Sequence, residues 1–442
     1  MFTSHPAERV STDDLMSLAT EGGTTPMQVG AVLMLDARER CDPRLVADAI
    51  AHRVSAVPRL RQRLVPVPWG CGRPVWVDDG DFTVTDHFYV VRCPDPGGEP
   101  GVLEVAAERL LTRLPRDRPL WAATLVTNVG QGCAALIIVF HHVLADGMGG
   151  LAVLASLVDG AAEGQDTLFP RPMPSRPRLA VEAAADRLRS VRGSPAVLRR
   201  MGGAASQLRP LFSTPLAHSS LNTATGGRRR LATVHVELNQ VRDAAHAHRA
   251  TVNDVVLSAI ATALHGLLLI RGEETDQFVI SVPFSARREA SVSDLGNQSG
   301  VVPLSVSGVG DPVRRLESLA ERTRAARQAP PGASTALLSP FFRLLAATGL
   351  YRRFIDRQRM IHTFVSNMRG PENRLSFLGC PITRVIPLSG TTGNITVSFA
   401  VLSYAGDLTI TLICDPDTCP ELSELRVMIE DELHLLTSPL MT

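Results

Sequence analysis

The chain has 442 residues, which leaves room for two or three domains, and 45% hydrophobic with 20% charged residues supports a sizeable core. Its 45 basic and 44 acidic residues leave a net charge of +1. That balance excludes a dedicated nucleic-acid binder, whose surface would be strongly basic.

In chain order, "STDDLMSLA" places Ser11 and Asp14 at capping-box spacing and predicts a short helix. "TTPMQVGAVLMLD" (Thr24 to Asp36) reads as a strand. "PRLVADAIAHRVSAVPRLRQRLV" reads as a helix ended near Pro58. "RPVWVDD" and "FTVTDHFYVV" read as strands, and "GVLEVAAERLLTRL" as an amphipathic helix. "PLWAATLVTNV" and "CAALIIVFHHV" are neighbouring strands joined by a "GQG" turn, and "GGLAVLASLVDGAA" is a helix. Residues 1–165 are thus a mixed α/β unit.

Residues 166–214 form a Pro- and Arg-rich helical linker. Between Arg171 and Pro210 there are nine arginines against two acids. Two readings stand: a solvated connecting helix, or a contact with anionic lipid or a nucleotide-bearing substrate. A second α/β unit spans 215–442. "RRLATVHVEL" is a strand, and "TVNDVVLSAIATALHGLLL" is a helix hydrophobic almost all round, hence buried. "FVISVPFSA", "GNQSGVVPLSV", "HTFVSNMRGP", "PITRVIPLS", "GNITVSFAVLSYAG" and "DLTITLICD" are candidate strands, two of them joined by "YAGD". The stretch from Phe341 to Arg359 is apolar, then basic. "PELSELRVMIEDELHLL" closes the chain as an amphipathic helix. The two halves have similar composition and element order, which permits two related subdomains.

Seven cysteines, at 41, 71, 93, 133, 380, 414 and 419, are odd in number and form no C-x-x-C pair. A disulfide framework or zinc ribbon is not expected, and a reducing cytoplasm fits best. "MFTSHPAERVSTDD" lacks the apolar core of a secretory signal, and no run reaches the roughly 18 apolar residues of a membrane span. The expectation is a soluble or membrane-peripheral protein. The sequons at Asn297 and Asn394 are then chance matches.

The chemistry concentrates in "FHHVLADGMGG". Along a strand side chains alternate faces, so only one of His141 and His142 can face a given cavity. A neutral imidazole can take a proton from a hydroxyl. Asp146 lies beyond a short turn, and Gly147, Gly149 and Gly150 let the chain bend tightly and bring a helix N-terminus close. Adjacent strand histidines rarely converge on one ion, so no metal site is expected. No G-x-S-x-G elbow occurs. Thr251-Val-Asn-Asp254 has capping-box spacing, which makes Asp254 a helix-cap residue. Ser366 and Asn367 read as turn and packing residues.

"HHVLADG" resembles the HHxxxDG signature of the CoA-dependent acyltransferase superfamily. With "RPLWAATLV", "TVNDVVLSAI", "LGNQSGVVPLSV" and "SNMRGP" in order, nearly the whole chain is similar to bacterial wax ester synthase/diacylglycerol acyltransferases. The resemblance implies two chloramphenicol-acetyltransferase-like subdomains, a pseudo-dimer with a central substrate tunnel. It implies a fatty acyl transfer from acyl-CoA to a long-chain alcohol or diacylglycerol. His142 would be the general base, with no acyl-enzyme and no cofactor beyond acyl-CoA as co-substrate. It makes His141 structural, pairs Asp146 with an arginine for which Arg61 is the choice, and offers Asn253 as an oxyanion donor. Peripheral contact with the inner membrane or a lipid droplet, and a homodimer, are compatible with it. Two departures, "PLWA" with Ala122 in place of the usual acid and "LNTATGG" at Leu221 to Gly227, bear on the acceptor. The alternatives are a relative acylating a specialised-metabolite hydroxyl or amine, with a carrier-protein donor in some versions, and a silent lipid-binding protein on the same scaffold.

Overall fold

The computed structural model describes residues 7–21, 25–37, 41–130, 132–161, 168–189, 219–285, 299–328, 345, 348–391 and 393–438. Asn297, the part of the arginine-rich run beyond residue 189 and most of 341–347 lie outside the described residues.

Helix α1 (Thr12–Thr20) opens on the capping box of Ser11 and Asp14. Strand β1 (Gln28–Asp36) follows, then α2 (Pro43–Val54), where Asp42 caps and Pro43 starts the helix. The sequence reading carried α2 to Pro58. The helix instead ends at Val54, and a short strand β2 (Gln62–Val65) turns back on β3 (Val75–Asp78). Next come β4 (Phe88–Arg92), α3 (Gly98–Leu111), β5 (Trp121–Gly130), β6 (Cys133–His141) and α4 (Gly147–Ser156). Helix α5 covers 176–189.

The apolar run in β6 has a plain cause. Leu136, Ile138 and Phe140 enter one core cluster, and Ala135, Ile137 and Val139 enter another. A strand buried on both faces has no polar side to show.

The second half runs β7 (Arg230–Glu237), α6 (Leu238–Ala247), α7 (Val252–Ile270), β8 (Gln277–Ser285), β9 (Ser299–Ser307), α8 (Pro312–Gln328), α9 (Tyr351–Ile355), β10 (Thr363–Arg369), β11 (Ser376–Phe377), β12 (Cys380–Leu388), β13 (Val397–Tyr404), β14 (Asp407–Cys414) and α10 (Leu422–Thr437). Helix α7 is long and apolar enough to cross a membrane, but it is mostly buried at the centre of the second core. Helices α6 and α8 escaped the sequence reading. Each buries only a narrow stripe, Leu238, Val241, Ala244 and Ala245 in α6 and Leu316, Leu319, Ala320 and Thr323 in α8, amid polar residues. The β13–β14 hairpin turns through Ala405 and Gly406, both at positive φ (49° and 93°), which matches the twist of the paired strands.

The strands make two six-stranded sheets, β11-β12-β1-β6-β5-β4 and β7-β14-β13-β10-β8-β9. The sequence division into 1–165 and 215–442 does not separate them. Strand β12, from the second half, pairs antiparallel with β1, Val32 opposite Ile386. Without it β1 would be an open edge. Its Ile382 and Val385 enter one first-half core cluster, and Ile386 and Leu388 the other. Glu99 adds a polar tie: on α3, it binds Thr233 and His235 of β7 and Arg384 of β12.

Candidate active site

Strand β6 ends at His141, which stands opposite Gln28 in the β1 register. The main-chain N–H of His142 then donates to the carbonyl of Met27 at 2.8 Å. The two imidazoles part here. His141 is 1% exposed; its Nδ1 accepts the N–H of Val143 at 3.0 Å, which leaves the proton on Nε2, 3.3 Å from Glu21 Oε2. Burial first, and the Arg116 charge second, push its pKa down to about 3, so His141 is a neutral structural brace.

His142 faces the other way, into an apolar cavity of about 470 Å³. Burial lowers its pKa below the ordinary imidazole value, partly opposed by a hydrogen bond to its own main chain and by Asp146. The cavity lies between the sheets. Gly30, Ala31, Phe140, Gly147, Gly150, Leu151 and Leu154 line it from the first half, and Ser281, Pro283, Pro303, Ser366, Met368 and Leu402 from the second. Tyr351, Phe354, Gln358 and Met360 wall one flank, where the Tyr351 hydroxyl bonds Thr20 at the end of α1. Gln358 is held by Asn394, and Ile361 by Asn222 of the "LNTATGG" segment. Asn394 is 3% exposed, an interior amide rather than a surface sequon.

Asp146 is 1% exposed and caps α4: its Oδ1 accepts the N–H of Gly149 at 2.9 Å. The motif glycines allow close packing. A Cβ on Gly147 would stand 2.7 Å from Met368 Sδ, and one on Gly150 2.4 Å from Phe140 Cζ.

Three expected site residues do not line the cavity. Arg61 is buried beside the β2–β3 hairpin; it donates to the Ser55 carbonyl at 2.8 Å and its guanidinium lies 3.9 Å over the Phe169 ring. Asn253 accepts from the Asn367 amide at 3.1 Å, and neither it nor Asp254 lines the cavity. Along β10, Ser366 and Met368 face the cavity, so Asn367 between them faces the helix layer. The oxyanion role expected of Asn253 does not follow from this placement. Asp254 closes the capping box with Thr251 and accepts from the Thr323 hydroxyl at 2.8 Å. Ser366 and Asn367 sit in β10, the strand expected over "HTFVSNMRGP", and not in a turn.

Ala122 of β5 pairs with Val139 of β6 and does not line the cavity. Gln28 was missed by the sequence reading. It is 1% exposed, lines the cavity, and ties β1 to the end of α3 through the carbonyls of Arg109, Leu110 and Thr112. Its position on β1 carried no spacing signal.

The model of the wax ester synthase/diacylglycerol acyltransferase catalytic domain matches residues 10–256, more than half of the chain. The chain belongs to the wax ester synthase/diacylglycerol acyltransferase family. It is an acyltransferase. The C-terminal domain model of the same family matches residues 295–437. This family member is 28% identical over 427 residues to a probable diacylglycerol O-acyltransferase of Mycobacterium tuberculosis, covering 93% of this chain and 91% of that one. A second Mycobacterium tuberculosis relative, a putative diacylglycerol O-acyltransferase, is 26% identical over 94% of this chain and 87% of its own length. Among solved structures, the wax ester synthase/diacylglycerol acyltransferase from Marinobacter aquaeolei VT8 matches with a TM-score of 0.70 at 23% identity, covering 97% of this chain and 99% of that one. The first condensation domain of the CDA synthetase matches at 0.63 and 18% identity, over 100% and 98% of the two chains. The family member therefore shares the two-subdomain, chloramphenicol-acetyltransferase-like architecture.

Proposed function

We propose that the protein moves a fatty acyl group from acyl-CoA to a long-chain alcohol or diacylglycerol, with His142 as general base. The observation that carries this is the His142 imidazole on the wall of an apolar cavity of about 470 Å³ between the two sheets. An apolar channel suits alkyl chains and excludes the water that would hydrolyse a thioester. A neutral imidazole there takes the acceptor's hydroxyl proton. The oxygen attacks the thioester carbonyl, a tetrahedral intermediate forms, the C–S bond breaks, and the imidazolium returns its proton to the departing thiolate. Ester and CoA leave, no acyl-enzyme forms, and the reaction needs no bound cofactor.

A lipid acceptor brings the protein to a lipid surface, and we place that contact at the β2–β3 hairpin and α5. Trp69 is fully exposed at the hairpin tip, and α5 presents Val181 (70% exposed), Ala184, Ala185 and Leu188 (54%) at helical spacing beside Arg187 and Arg189. Exposed aromatic and apolar residues flanked by arginines are the chemistry of an interfacial contact.

The test is product analysis. Purified protein is mixed with palmitoyl-CoA and, separately, hexadecanol, dipalmitoylglycerol or short polar alcohols, with His142→Ala alongside. Hexadecyl or triacylglycerol ester that vanishes in the variant is expected. CoA release only with polar acceptors would move the protein to the specialised-metabolite branch.

A further inference from the structure

A second concavity, of about 530 Å³, opens on the far side of β10. Arg242 and His246 of α6 line it, with Arg369 at the end of β10 and Glu372 just beyond. Both guanidinium groups converge on one carboxylate oxygen: Glu372 Oε1 is 2.5 Å from Arg369 and 3.6 Å from Arg242. Glu372 is the one acid among the lining residues, so two permanent cations share one anion. The guanidinium forks are close together, half or more in solvent in the case of Arg369, and under-neutralised.

The location matters as much as the charge. Arg369 directly follows Met368, which lines the catalytic cavity and packs on Gly147. Side chains alternate along β10, so Arg369 leaves the sheet on the face opposite Met368, at the very end of the strand. We infer that this pocket binds the phosphate groups of the CoA donor, with Arg242 and Arg369 as their partners. The inference rests on the reading of acyl-CoA as the donor. In that substrate the pantetheine arm separates the thioester from its phosphates. A phosphate site is therefore required away from the base, and the end of β10, one residue past the cavity wall, offers one. Phosphate displaces Glu372 as the shared anion, since a doubly charged group satisfies two forks where one carboxylate does not.

The test compares palmitoyl-CoA with S-palmitoyl-pantetheine, which lacks the phosphates together with the adenosine they carry, on the full-length wild type, Arg242→Ala/Arg369→Ala and Glu372→Gln. Losing two charge-assisted partners should raise KM for palmitoyl-CoA by about tenfold or more, with kcat little changed and the pantetheine thioester used as before. Glu372→Gln should lower KM for palmitoyl-CoA only. An equal loss with both donors, or no change with palmitoyl-CoA, would overturn the assignment. So would loss of binding to phosphatidylglycerol vesicles with the palmitoyl-CoA KM intact, which would give the pocket to a lipid headgroup. Direct calorimetry with free CoA separates this site from the proposed function: wild type that binds CoA through these arginines but makes no ester from hexadecanol or diacylglycerol would sink the lipid-acceptor reading and keep the site.

Discussion

Gly147 and Met368 meet across the two halves: a Cβ at position 147 would stand 2.7 Å from the Met368 sulfur, and both residues line the catalytic cavity. The motif glycine is thus where the histidine-bearing half accepts β10 of the other.

Gly147→Ala should leave the protein folded, because a methionine tip can move, at a cost of about 1 kcal/mol. It should lower kcat/KM by shifting the cavity wall. Met368→Ala makes room, so the double variant should recover part of the loss. Rates of the two single variants and the double variant measure this coupling, and strictly additive losses would show that the contact is idle.

Removing the base should be costlier. His142→Ala should lower kcat by roughly 10²–10⁴ with an unchanged unfolding midpoint. The pH profile gives an independent check. Burial lowers the His142 pKa below its ordinary 6.5, so the unprotonated base persists further into acid. The acid limb of kcat/KM should therefore fall below pH 6.5. A limb above that value would contradict a buried base.

His141 should act on stability and, through it, on rate. His141→Ala leaves the Val143 N–H without its acceptor in a buried site, at a cost of about 1–3 kcal/mol. His141→Asn offers an amide oxygen in place of Nδ1 and should lose less. Thermal unfolding of the two variants decides, and equal midpoints would remove the bracing role.

Glu99 should make the contact between the halves acid-sensitive. Burial opposes its ionisation, but hydrogen bonds from His235 and Thr233, with the Arg384 charge, outweigh it and hold the carboxyl at about 2 against an ordinary 4.5. A depressed carboxyl pKa stabilises the fold above about pH 4.5 and loses that contribution as pH falls toward 2. Glu99→Gln should cost about 1–3 kcal/mol at pH 7 and flatten the acid limb of unfolding. An acid limb identical to that of the wild type would place the sensitivity elsewhere.

The sequence alone determined whatever is local. The HHxxxDG stretch, the capping boxes at Ser11 and Thr251, the β5–β6 and β13–β14 turns and the buried helix α7 each depend on residues a few positions apart. Alternation along β6 already required the two histidines to part. Tertiary structure decided what depends on distant partners. Which histidine meets the cavity was set by Glu21, Val143 and the second sheet together. That β12 completes the first sheet was set by the open edge of β1, and no periodicity within β12 records its partner. The cavity wall draws Gln28, Ser281, Tyr351 and Ser366 from separate elements, so they share no spacing. Asn253 lay beside a familiar motif, yet the alternation of β10 turned its partner Asn367 toward the helices. A motif names the reacting group; only the packing of the two sheets chooses what surrounds it.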